Sequence, residues 1–329
     1  MSIEQTLDER AFLARHDSDP FSRWQAFNTL LTDALMKRQY RGGKAHDFSE
    51  ELTALAGAIA ANESLEPAFR ALALALPAEA DIARELGQNI DPDAIFAARE
   101  ALAVAIGDAN QGLFERLAAG LAGDDAFSPD AASAGRRALA NALLDYLSTG
   151  SRGPERAAHQ FATANNMTDR AAALSILANR HPNRAETTEA LAAFEARCHS
   201  DALVLDKWFQ VQAAMPGPQA VDRVGRLMRH PAFSIANPNR VRSLIGTFST
   251  ANQTGFHRAD GGGYQLFADT VLEVEKRNPQ VAARLATAMR SWRSLEPVRQ
   301  EKARQALARL SAAQNLSADL RDIVERTLA

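Results

Sequence analysis

Five prolines in this chain each follow a residue whose side chain can cap a helix: Asp19-Pro20, Asp91-Pro92, Asn237-Pro238, Asn278-Pro279 and Glu296-Pro297. An oxygen before the proline accepts from a free amide of the first helical turn. The proline itself has its φ preset and no N–H to leave unsatisfied there. Apolar residues follow each start at three- and four-residue steps, so helices are expected to open at all five. Glu66-Pro67 opens another. Alanine, leucine, arginine and glutamate dominate the composition, aromatics make up 6%, and no run alternates apolar with polar residues as a half-buried strand would. The expectation is an all-α chain.

Taken in order, residues 1–17 read as a lead-in segment with a short helix over Leu7–Arg15. The helix opened by Pro20 has Phe21, Trp24, Phe27, Leu31 and Leu35 on one face and runs to about Arg38, before Gly42-Gly43. A second spans His46–Ala61, with Phe48, Leu52, Leu55 and Ile59 inward, and a third runs from Pro67 to Pro77. Helices follow over 81–86, 91–106, 109–121, 129–147 and 154–164, then over 168–179 with Thr168 as its cap. Next come 184–200 and 201–214, the latter offering Leu203, Leu205, Trp208, Phe209 and Val211 for burial; 219–229 ends at His230-Pro231. Two more close the chain, over 297–312 and 317–328. Trp24 and Trp208 are expected to anchor their helix pairs as buried residues. About sixteen helices joined by short turns place consecutive helices side by side. No fixed repeat length recurs, so the expected architecture is an irregular, antiparallel-stacked α-solenoid or superhelix, with 18–329 as a single domain.

Composition excludes several classes. One cysteine, Cys198, leaves no intrachain disulfide and no cysteine zinc site; it reads as a buried thiol in a reducing compartment. Residues 1–15 lack the apolar region of a signal peptide, and no apolar run reaches the ~20 residues that span a bilayer. A cytoplasmic protein with no membrane partner is the expectation. The net charge of −3 hides an asymmetry: Arg223–Ala329 carries 17 Lys and Arg against 9 Asp and Glu. A basic end of this kind suits solvated helix faces, an acidic partner or a carboxylate ligand. Acids such as Glu273, Glu296, Glu301 and Asp322 interrupt it and no aromatic stacking motif accompanies it, which argues against nucleic acid.

Catalytic motifs are absent. No two of His16, His46, His159, His181, His199, His230 and His257 stand four apart as a helical zinc site requires. Each reads as a turn or surface residue. Gly261-Gly262-Gly263 follows no strand, so it is a turn rather than a phosphate loop. There is no Gly-x-Ser-x-Gly. The sequence offers no catalytic residues, no metal ligands and no cofactor site of its own.

One stretch carries more. It reads Asn-Pro-Asn-Arg-Val-Arg-Ser-Leu-Ile-Gly over 237–246, continues through Phe256-His257, Asp260-Gly261 and Gly263-Tyr264, and closes as Arg-Asn-Pro-Gln-Val-Ala-Ala-Arg-Leu over 277–285. It resembles the C-terminal helical domain of bacterial aminopeptidase N, the zinc aminopeptidase family with a His-Glu-x-x-His site. Further matches run in order along the chain: Asp19 with Phe21-Ser22-Arg23-Trp24, Ile90-Asp91-Pro92 with Ala94-Ile95, Ala164 to Asp169, Asp206-Lys207-Trp208-Phe209, and Arg299-Gln300-Glu301-Lys302. The resemblance implies a superhelical domain that closes over a catalytic cleft carried by another part of the parent enzyme. That part would hold the zinc, the catalytic glutamate and the Gly-x-Met-Glu-Asn motif, none of which is in this sequence. It also implies that Gln280, Arg284 and Arg242 line the far side of the substrate channel and meet the peptide. The partners implied are the parent's catalytic domain and a peptide substrate.

Read from spacing alone, Arg284 borders an apolar stripe of Val281, Leu285, Ala288 and Trp292. It can cover that face with its stem, or it can present a planar fork to a carboxylate or carbonyl. Two functions stay open at this point: a non-catalytic substrate-channel domain of a zinc aminopeptidase, or an independent solenoid that binds a protein or peptide along its face.

Overall fold

The structure, a computed structural model, describes residues 5–40, 50–123, 127–198 and 201–329. The chain forms α1 (Leu7–His16), α2 (Pro20–Tyr40), α3 (Glu50–Ala61), α4 (Pro67–Ala73), α5 (Glu79–Leu86), α6 (Pro92–Leu121), α7 (Ala131–Tyr146), α8 (Glu155–Thr163), α9 (Met167–Arg180) and α10 (Ala185–Cys198). It continues with α11 (Ala202–Ala214), α12 (Ala220–Leu227), α13 (Pro238–Val241), α14 (Thr247–Ala251), α15 (Gln253–Phe256), α16 (Gly262–Glu275), α17 (Pro279–Ala286), α18 (Pro297–Ser311) and α19 (Ala318–Leu328). No β-strand occurs among the described residues; one isolated parallel bridge joins Ile90 to Leu295. No described helix is long and apolar enough to cross a membrane.

All six expected prolines are the first residues of their helices. Asn237 Oδ1 accepts from the amides of Asn239 at 2.9 Å and Arg240 at 3.4 Å. Asn278 accepts from Val281, Glu296 from Val298 and Arg299, and Asp19 from Ser22. At these four starts the first turn is satisfied locally, which makes them readable, whereas Glu66 makes no side-chain cap bond before Pro67. In the turn before α16, Gly261 has φ +83°, and a Cβ on Gly263 would fall 2.2 Å from the Phe256 carbonyl oxygen, as a glycine-only turn requires.

Several expectations need correction. Residues 91–106 and 109–121 are one helix, α6, of 30 residues. Gly107 does not break it; a Cβ there would lie 2.8 Å from the Tyr146 carbonyl oxygen and the Thr149 hydroxyl, so the glycine admits a close neighbour. The cap of α9 is Asn166, whose side chain accepts from the Asp169 amide at 2.9 Å, not Thr168. On α2, Phe27, Leu31 and Leu35 are buried, but Phe21 is 63% exposed and Trp24 is only half-buried. Leu203 is also exposed. His257 lies in a turn, as expected, but is buried there rather than exposed. The expected start of the second helix at His46, with Phe48 inward, and the readings of His199 and the Cys198 side chain lie outside the described residues.

Two compact units divide the chain: Met1–Ile82 with Ala94–Thr187, and Ala83–Asp93 with Thr188–Ala329. In the first, α4 packs on α7, α1 on α2 and α8 on α9. Its core includes Phe27, Leu55, Phe114, Leu143 and Leu174. The buried Tyr146 hydroxyl donates to the Leu74 carbonyl at 2.7 Å. Arg180 forks onto both oxygens of Asp145 at 2.8 and 2.7 Å and also reaches Glu100. In the second unit, α16 and α17 pack together, and α19 covers α17 and α18. Phe256 is its aromatic hub, with ring centroids of Phe267, Tyr264 and Phe248 at 5.1, 5.4 and 5.9 Å.

Candidate functional site

The second unit carries a groove of about 300 Å³ between two helical segments. One wall is the continuous run α13–α14, interrupted by a π-turn over Arg242–Gly246. Here the Gly246 carbonyl takes the hydroxyls of Ser249 at 3.0 Å and Thr250 at 2.8 Å. Arg242, Gly246 and Thr250 face the groove from this side; Val281, Arg284, Leu285 and Ala288 face it from α17 and the turn that follows.

Two of the three expected site residues therefore meet. Arg242 and Arg284 line the same groove, and both are exposed. Arg242 donates to the Asn239 side chain at 2.9 Å. Arg284 makes no ion pair among the described residues. No carboxylate stands among the groove's described lining, which otherwise supplies threonine and serine hydroxyls and apolar carbons. Gln280 is exposed on the first turn of α17 and is not part of that lining. The stripe read from sequence is shorter than expected: α17 ends at Ala286, and Trp292 lies in a separate 3₁₀ turn, where its indole donates to the Thr327 carbonyl at 2.8 Å. Arg284 is not a packed cover over that stripe. Two guanidiniums facing an acid-free groove can bind a carboxylate or a peptide carbonyl through paired N–H groups.

Other arginines from the same stretches do structural work, which the sequence did not disclose. Arg240 is buried: it pairs with Asp206, donates to the carbonyls of Ala202 at 2.9 Å and Ala232 at 3.1 Å, and lies 5.6 Å from the Phe209 ring centroid. Arg299 is 5% exposed. It donates to the His257 carbonyl at 2.6 Å and to Glu296 at 3.1 Å, and reaches Asp93 and Asp91. Backbone bonds of 2.9 Å from Ile90 to Ser294 and from Glu296 to Ile90 seat that acidic segment beside it. Trp208 donates to the Leu191 carbonyl at 2.9 Å.

Beside Arg299, His257 Nδ1 and the Tyr264 hydroxyl are 2.8 Å apart and share a hydrogen bond. Burial, then the Arg299 charge, push the imidazole pKa down to about 3. Burial raises that of the Tyr264 phenol. Both are neutral near pH 7 and have no acid–base partner among the carboxylates, so this is a packing centre rather than a catalytic pair. The described residues hold no group of three or more His, Cys, Asp or Glu that could bind a metal ion. The zinc that the resemblance implies belongs to the catalytic part of the parent, outside this sequence.

Comparison with known proteins agrees with the all-helical fold. Residues 7–329 match the family described as a domain of unknown function (DUF3458_C) with ARM repeats. Aminopeptidase N of Caulobacter vibrioides is 38% identical over the whole of this chain, which covers 38% of that protein. Aminopeptidase N of Escherichia coli is 35% identical over 97% of the chain and 37% of the relative. The crystal structure of Legionella pneumophila aminopeptidase A in complex with aspartic acid superposes at a TM-score of 0.88 with 29% identity, over all of this chain and 39% of that one. The chain thus spans under two-fifths of the length of these relatives, and it matches their C-terminal part. It belongs to the DUF3458_C ARM-repeat family, the C-terminal helical domain of aminopeptidase N-like proteins.

Proposed function

We propose that this chain is the non-catalytic domain that closes over the cleft of a cytoplasmic zinc aminopeptidase and lines the far side of its substrate channel. The carrying observation is the pairing of Arg242 and Arg284 in one acid-free groove. A peptide running past the scissile bond presents carbonyls and, when short, a terminal carboxylate to such a groove. The two exposed guanidiniums hold that chain in place, and Gln280 on the adjoining turn extends the contact. The catalytic part would hold the zinc, which would supply Lewis-acid chemistry at the scissile carbonyl and at water; this chain's share is binding and orientation.

The test is complementation. Mixed with a separately expressed catalytic part, this chain is expected to raise peptide cleavage well above that of either part alone. Alone, it is expected neither to retain stoichiometric zinc nor to hydrolyse aminoacyl reporters. Zinc-dependent turnover by the chain alone, or a mixture no more active than its parts, would overturn the reading.

A further inference from the structure

The first unit carries a larger cavity, about 930 Å³, that shares no residue with the Arg242–Arg284 groove. Its floor is one face of α7. Arg136, Arg137, Ala140, Leu144 and Leu147 all line it, and they recur at three- and four-residue steps, so the floor is cationic at one end and apolar at the other. The C-terminal turns of α6 and the outward side of α8 form the walls.

Among the described residues, the charges on the walls are mostly engaged, and those on the floor hold no ion pair. Glu115 pairs with Arg156 at 2.6 Å. Asp169 accepts from Asn141 at 2.9 Å and Asn166 at 2.7 Å. Glu155 sits in the first turn of α8, where the helix dipole favours it. Among the described residues, Arg136, by contrast, has only a 3.4 Å bond to the Ser133 hydroxyl. The Arg137 guanidinium lies 4.7 Å from the Phe127 ring centroid, and its Nε is buried with no hydrogen-bond partner among those residues. A buried donor left unsatisfied is costly, and a charged acceptor is the group that removes the cost. Phe127, half exposed, forms an aromatic edge beside it.

We propose that this cavity binds a peptide segment carrying carboxylates beside an apolar side chain. The carboxylates pair with Arg136 and Arg137. The apolar side chain lies on Ala140, Leu144 and Leu147 with Phe127 at its edge. The site is a second peptide-binding surface of the domain, selective for acidic sequence, and it does not depend on the function proposed above.

Fluorescence anisotropy of the folded chain with a fluorescein-labelled, C-terminally amidated Ala-Phe-Ala-Glu-Glu peptide tests this, with Ala-Phe-Ala-Gln-Gln as the comparison. The Glu peptide is expected to bind about tenfold tighter or more, as loss of a charge-assisted bond implies. R136Q and R137Q should each remove most of that preference, and R137K should keep part of it. R326Q, on an exposed face of α19 and in the lining of neither groove, should leave it intact. Circular dichroism checks folding, and R136Q carries the test if R137Q fails to fold. Equal affinity for the two peptides, no binding of the Glu peptide at millimolar concentration, unchanged binding in R136Q, or loss in R326Q alone would each overturn the proposal.

Discussion

Arg299 Nε donates to the carbonyl oxygen of His257 at 2.6 Å, across 42 residues of chain. The same guanidinium holds Glu296, Asp91 and Asp93. One side chain thus joins the turn before α16, the start of α18 and the segment leading into α6. A buried arginine in this position is a clamp: removing it strands the His257 carbonyl and the mostly buried Glu296 carboxylate, while Asp91 and Asp93 keep water.

Arg299→Met should therefore destabilise the second unit. Loss of one member of a buried ion pair costs about 3–5 kcal/mol. Asp91 and Asp93 keep access to water, which places this case near the lower end, at about 3 kcal/mol. Urea unfolding reads the effect directly; a loss below about 1 kcal/mol would mean the guanidinium does no clamping.

His257 gives the fold a pH dependence. Unfolded, its imidazole takes a proton near 6.5; folded, burial and then Arg299 hold the pKa down to about 3. The unfolded chain binds the extra proton between those values, so stability is full above about pH 6.5 and falls as pH drops through the window. The slope is about 1.4 kcal/mol per pH unit for this one group. Denaturant midpoints from pH 7.5 to 4.5 should fall more steeply for the wild type than for His257→Gln, which has nothing to titrate there. Parallel curves throughout would show that the imidazole titrates alike in both states.

The two tryptophans should part company. Trp208 is 5% exposed and its indole N–H is bonded, so Trp208→Ala should cost about 3–5 kcal/mol. Trp24 is half-buried beside the exposed Phe21, so Trp24→Ala removes less contact and should cost about 1–2 kcal/mol. Equal losses in denaturant unfolding would contradict this difference in burial.

The helix starts at Pro20, Pro92, Pro238, Pro279 and Pro297 were legible because capping is decided within four residues. The outward turn of Phe21 and Trp24 was not, since periodicity finds a face without saying what covers it. Gly107 looked like a break because its reason is Tyr146, 39 positions away, whose backbone comes too near for a Cβ. Asp93 and Arg299 are 206 residues apart, and no local pattern joins them. The site was legible in part. Family-like text drew attention to Arg242 and Arg284, but the same text contains Arg240 and Arg299. Only contacts separate the clamped arginines from the free ones.

That separation sharpens what Arg284 should do in an intact enzyme of this family. Because it is exposed and unpaired among the described residues, Arg284→Ala should leave the unfolding midpoint nearly unchanged, within about 0.5 kcal/mol. Its effect should appear in peptide cleavage instead. A single-residue aminoacyl reporter ends just past the scissile bond and offers the groove nothing, whereas a tripeptide reaches it with a carbonyl and a carboxylate. A charge-assisted bond contributes roughly 1.5–3 kcal/mol, which is about tenfold or more in kcat/KM. Arg284→Ala should lose that factor on the tripeptide and little on the reporter. Arg284→Lys should recover only part, because it keeps the charge and loses the fork. Arg242→Ala, on the opposite wall, should act in the same direction, and the double variant should fall short of the summed losses if both arginines hold one carboxylate. Equal losses on both substrates with a shifted midpoint would instead make Arg284 a packing residue and leave the groove without its ligand-binding role.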